Sequence, residues 1–70
     1  MVKHNITQCR IERGFCKSKL AYYIGVNRSY VTKLEQGRLQ PSGEMMLRIA
    51  RVLRQPVENI FQLVEEGGKR

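Results

Sequence analysis

Aspartate is absent, histidine occurs once, at His4, and no glycine-rich loop of phosphate-cradling type is present. These shortages leave few parts for an acid–base or nucleophilic site, so an enzyme is not the expectation. Only two cysteines occur, Cys9 and Cys16. They are not a close-spaced metal pair, and with His4 as the sole nitrogen ligand they fall short of the four that structural zinc requires. In a reducing compartment a disulfide is equally unsupported, and both are read as small buried or half-buried thiols. Neither a metal nor a cofactor is therefore expected. No apolar run approaches the roughly 18 residues of a membrane span. The opening MVKHNITQ lacks the apolar core of a secretion signal. A cytoplasmic protein without a membrane partner is the expectation, and no small-molecule ligand is evident.

Acidic residues are also scarce. Thirteen Lys and Arg face six Glu, for a net charge of +7. Residues 1–40 carry eight basic and two acidic side chains, whereas residues 41–70 carry five and four. A purely solubilising charge has no reason to be so lopsided; a phosphate-binding face does. Seventy residues with 41% hydrophobic content suffice for one small helical domain. Such a chain buries only about 60% of its unfolded surface, so association with a second copy would help it.

The most ordered pattern is KSKLAYYIGVNRSYVTKLEQG, residues 17–37. Leu20 and Ile24 are one helical turn apart, and Val31 and Leu34 repeat the arrangement on a second short helix. Between them, Gly25-Val26-Asn27 leaves room only for a tight bend. Gly25 can take the positive φ that ends the first helix, and Asn27 is a good N-cap for the second. Val26 plugs the corner, and Ala21 is small enough for the helices to cross closely. This is a helix-turn-helix pattern, and the major groove of DNA is its expected target. Once the buried face of the second helix is removed, Arg28, Ser29, Tyr30, Thr32 and Lys33 remain. Arg28 and Lys33 can donate to guanine O6 and N7, and Ser29 can pair with several bases. Tyr30 and Thr32 can bond phosphates or touch a thymine methyl.

Around that core, RIERGF at 10–15, QPS at 40–42, LRIARVL at 47–53 and PVENIF at 56–61 complete a recognisable whole. Residues 10–63 resemble the lambda-repressor/Cro-like helix-turn-helix family, also called the xenobiotic response element (XRE) family, without an insertion. The resemblance implies an all-α, five-helix DNA-binding domain with the helix-turn-helix at helices 2 and 3. It implies that Arg28, Ser29 and Lys33 read bases, and that Arg10 and Glu35 pair as an internal salt bridge. Lys17 stands where the family usually has Gln, and can still reach a phosphate as a point charge. Lys19, Tyr30, Thr32, Arg38 and Gln40 complete the expected phosphate contacts, with Arg38 leading the loop that grips the backbone. Two departures stand out: Cys16 replaces the usual Ser or Thr N-cap, and Gly43 replaces a larger apolar residue.

Helix 1 is expected over about residues 3–13, with Val2, Ile6, Cys9 and Arg13 in a stripe that Gly14 ends. Phe15 reads as core, while Tyr22 and Tyr23 fit either a core edge or a partner contact. Ser42 caps helix 4, whose core stripe is Met46, Ile49, Ala50 and Leu53. Pro56 opens helix 5, whose Val57, Ile60, Phe61 and Val64 exceed what a closing helix needs. That surplus implies a homodimer contact, although Phe61 alone fits the core equally well. Residues 1–64 form the domain and 65–70 a frayed tail. The functional expectation is a homodimeric transcriptional regulator, a repressor, on a palindromic operator. The alternative is a DNA-binding antitoxin with a toxin partner; a pure protein-interaction module is a third class.

Overall fold

The computed structural model describes residues 2–63. Along the chain run β1 (Val2–His4), α1 (Ile6–Glu12), α2 (Lys17–Ile24), α3 (Arg28–Glu35), α4 (Gly43–Leu53), α5 (Val57–Ile60) and β2 (Phe61–Leu63). The five helices pack around one core. Ile6, Leu20, Ile24, Val31, Leu34, Ile49, Leu53 and Ile60 are its largest fully enclosed side chains. Each helix contributes at least one of them, so none can leave without opening the centre. Among the described residues no polar or charged residue is fully buried.

The chain ends depart from the all-helical expectation. Val2, Lys3 and His4 pair antiparallel with Leu63, Gln62 and Phe61. The segment expected to begin helix 1 is thus a strand, and α1 is a turn shorter than the 3–13 reading. Asn5 is its N-cap residue without a side-chain cap bond; its backbone N–H goes instead to the Ile60 carbonyl at 3.0 Å. The Ile6 N–H is taken by His4 Nδ1 at 3.2 Å, which satisfies one open donor of the first turn.

Helix α5 is a single turn. It ends because Phe61 turns to extended backbone, φ −119° and ψ 129°, and joins β1. Ile60 is fully buried and Phe61 only 7% exposed, so both serve the protomer's own core. They are withdrawn from the dimer surface expected of them, because the strand turns the chain inward. Val57 is half-buried. Val64 and the tail at 65–70 lie outside the described residues.

Helix α4 uses its Ser42 cap, whose Oγ accepts from the Met45 N–H at 3.1 Å. Gly43 is exposed, and a Cβ on it would enter open space with nothing within 4 Å. The helix ends at Arg54, which holds φ 58° and ψ 44°. That left-handed conformation usually belongs to glycine or asparagine.

Candidate nucleic-acid interface

The bend between α2 and α3 follows from three residues. Gly25 holds φ 81°, which a side chain resists by about 1–2 kcal/mol. The N–H groups of Gly25 and Val26 both close on the Ala21 carbonyl, at 2.9 and 3.0 Å. Asn27 Oδ1 accepts from the Tyr30 N–H at 2.9 Å, fixing the first turn of α3. Val26 packs half-buried against the core. A further clamp comes from α4: Arg48 donates to the Ile24 carbonyl at 3.4 Å while holding Glu44 at 3.0 Å.

Helix α3 is thereby set with Val31 and Leu34 fully buried and Arg28, Ser29 and Lys33 exposed. Thr32, half-buried, lies between these three on the same outward face, and Tyr30 leans on the core. Gln36, at the C-cap, is exposed and continues that face. Sequence reasoning passed it over, although it stands three and four residues beyond Lys33 and Thr32, the spacing of helical neighbours.

The flanking loop alternates. Leu39 and Pro41 point into the protein, while Arg38 and Gln40 are exposed. Two inward anchors thus present two outward polar groups. Arg38 N–H closes on the Lys33 carbonyl at 2.8 Å, and its Nη1 reaches Gln36 Oε1 at 3.5 Å. Lys17 opens α2 half-buried. Lys19 is exposed on α2. Two residues further on, it lies about 200° around the helix from Lys17, and its ammonium rests 4.9 Å from the Phe15 ring centroid. It thus lies beside the stacked Phe15 and Tyr23 rings.

Arg10 and Glu35 join α1 to the end of α3. Arg10 Nε donates to Glu35 Oε2 at 2.7 Å and Nη2 to Oε1 at 3.4 Å, with the side chains 11% and 6% exposed. Arg10 Nη1 also donates to the Phe15 carbonyl at 2.8 Å. The guanidinium is satisfied on three sides, so this is a fastening and not a solvated charge.

The two cysteines differ. Cys9 is buried as expected, but Cys16 is exposed at the N-cap of α2. Burial raises the Cys9 thiol above its ordinary value, with the Glu12 charge adding to it. Cys16 faces the open N–H groups of the first turn, that of Lys19 foremost, without a side-chain cap bond of good geometry. They draw its thiol down. Among the described residues no three His, Cys, Asp or Glu side chains are grouped to hold a metal.

A helix pair with a capped tight turn, a polar outward face on its second helix and basic groups at its edges defines a DNA-binding module. Residues 6–60 match the model of the helix-turn-helix family. An uncharacterized HTH-type transcriptional regulator of Methanothermobacter thermautotrophicus is 43% identical over 65 residues, covering 91% of this chain and 94% of that protein. The uncharacterized HTH-type transcriptional regulator YgzD of Bacillus subtilis is 31% identical over 66 residues, covering 94% and 100%. Among solved structures, the restriction-modification controller protein C.AhdI of Aeromonas hydrophila superposes with a TM-score of 0.73 at 28% identity, over 77% of this chain and 78% of that one. The clp gene regulator ClgR of Corynebacterium glutamicum gives 0.74 at 26% identity, over 77% and 57%. The chain belongs to the helix-turn-helix family of lambda-repressor/Cro-like, XRE type, a family of DNA-binding transcriptional regulators.

Proposed function

We propose that the protein is a repressor that lays α3 in the major groove of a short palindromic operator, one copy per half-site. The observation that carries this is the outward face of α3, where Arg28, Ser29 and Lys33 are exposed together opposite fully buried Val31 and Leu34. Those three side chains read base edges. Lys17, Arg38 and Gln40, with Tyr30 beside the reading face, hold the sugar-phosphate backbone, and Thr32, between the three readers, bonds a phosphate or touches a thymine methyl. Lys19 is left out of this set, since its ammonium lies against Phe15.

The second copy sets the spacing of the two α3 helices at about 34 Å, one turn of the duplex. With Ile60 and Phe61 committed to the core, the pairing surface is the outer side of α5 and β2. There Val57 is half-buried and Leu63 is 70% exposed. No described helix is long and apolar enough to cross a membrane, in keeping with work in the cytoplasm.

Selection of bound sequences from a random duplex pool, followed by sedimentation with and without the selected site, tests the reading. A two-fold symmetric consensus bound by two copies is expected. A pool that stays random, or a monomer at high micromolar concentration on the selected site, refutes it.

A further inference from the structure

A second cationic surface takes none of its residues from α3. Arg13, Phe15, Tyr23, Arg51, Val52 and Arg54 line a hollow of about 400 Å³, open to solvent on one side. No acidic residue is among them. Its aromatic wall is built: Phe15 and Tyr23 stack at 5.5 Å with 21° between planes, and the Arg13 guanidinium lies 4.9 Å over the Phe15 ring. Arg13 Nε is also anchored on the Val52 carbonyl at 3.4 Å. Among the described residues, the Arg51 and Arg54 side chains make no hydrogen bond or ion pair. Two guanidiniums without a partner among the described residues, beside a third and over an apolar floor, call for an anionic occupant with apolar substance.

The shape says which kind. Arg51 also lines a second hollow of about 210 Å³ with Glu44, Leu47 and Arg48; residues 44, 47, 51 and 54 follow helical spacing, so the two hollows adjoin on one face of α4. At that end Glu44 and Arg48 neutralise each other, and Leu47 is 63% exposed. The trough therefore runs from an apolar end at Leu47 to a strongly positive end at Arg51, Arg54 and Arg13. From Glu44 to Arg54 the helix rises about 15 Å, the reach of four to five residues of extended chain. A compact ion fills one hollow and leaves the other empty.

We infer that this trough docks a short, extended, acidic segment of a partner protein, its apolar side chain over Leu47 and its carboxylates on Arg51, Arg54 and Arg13. No lining residue belongs to the set that contacts DNA in the operator reading. The inference stands independently of the operator reading.

The test titrates the full-length, isotope-labelled protein at about 0.15 M salt, where long-range attraction is screened. The probe is the blocked peptide LAEDEE, compared with the shuffled peptide EELDEA, inorganic phosphate and an arbitrary duplex. Amide shifts on Arg13, Phe15, Tyr23, Arg51 and Arg54, with α3 unmoved, are expected. The pair of substitutions Arg51→Ala and Arg54→Gly should weaken LAEDEE at least about tenfold and leave duplex affinity nearly unchanged. Arg54→Gly suits the local positive φ, so loss of folding does not confound the result, and Arg28→Ala should leave peptide binding intact. Equal affinity for EELDEA, displacement by equimolar phosphate, shifts centred on α3, or duplex binding lost as strongly as in Arg28→Ala would each overturn the proposal.

Discussion

Replacing Arg10 by Met removes three donors at once while keeping the bulk of the aliphatic stem. Glu35, 6% exposed, then keeps a carboxylate that has lost partners at 2.7 and 3.4 Å. Stranding a buried charge in this way costs about 3–5 kcal/mol. The orphaned Phe15 carbonyl, bonded at 2.8 Å in the intact protein, adds about 1 kcal/mol more. A domain of this size has a total stability of roughly 3.5–10 kcal/mol. With a urea slope near 1 kcal/mol per M, the unfolding midpoint should fall by about 4 M or more. Glu35→Gln keeps an acceptor but loses the charge, and should cost about 3 kcal/mol. Arg10→Met combined with Glu35→Gln should cost less than the sum, by about 0.5–3 kcal/mol of coupling. Circular dichroism at 222 nm through a urea series measures all four proteins. Additive effects below 1 kcal/mol would show that the pair contributes nothing beyond ordinary surface charges.

Arg28→Ala or Lys33→Ala should lose about 1–3 kcal/mol on the selected operator and relax preference at particular base pairs. Lys17→Ala or Arg38→Ala should weaken operator and scrambled duplex alike and lower the salt slope by about one per lost contact; anisotropy titrations at several salt concentrations separate the two behaviours. At the C-cap of α4, Arg54→Gly relieves the left-handed strain but loosens the unfolded chain. It should be neutral or stabilising by about 0.5 kcal/mol, whereas a β-branched Arg54→Val should cost about 1–2 kcal/mol. A melting order other than Gly at or above Arg, and Arg above Val, refutes that account. Because the Cys16 thiol is drawn down and the Cys9 thiol pushed up, alkylation in the native state should modify Cys16 alone. Its rate should rise with pH and level off below the range of an ordinary thiol, since only the thiolate reacts. Mass spectrometry of the labelled peptides decides this, and labelling of Cys9 at a comparable native rate counts against it.

What was legible in the sequence is what short range determines. Gly25, Asn27 and the pairs Leu20/Ile24 and Val31/Leu34 each act within one or two helical turns, and the structure places them as their spacing implies. The outward face of α3 follows by subtraction. Arg10 and Glu35 stand 25 residues apart, and only the family resemblance tied them together. The chain ends were misread for a specific reason. Val57, Ile60, Phe61 and Val64 obey helical spacing, so nothing local speaks against a longer helix. The competing strand is three residues long and its partner lies at the other end of the chain; long-range pairing leaves no periodic trace at that length.

The pairing of β1 with β2 also governs how the molecule bears a pull. Val2 stands opposite Leu63, so tension on the two ends is applied across the same rung. Antiparallel bonds lie perpendicular to their strands, so the load falls on one rung at a time: Val2 with Leu63, then Lys3 with Gln62, then His4 with Phe61. That is unzipping rather than shear, and it meets little resistance. The next step drags Phe61 and Ile60 out of the core and exposes its base. A regulator tethered by its ends would therefore part at this clasp well before the stretch between Lys17 and Gly37 felt any strain.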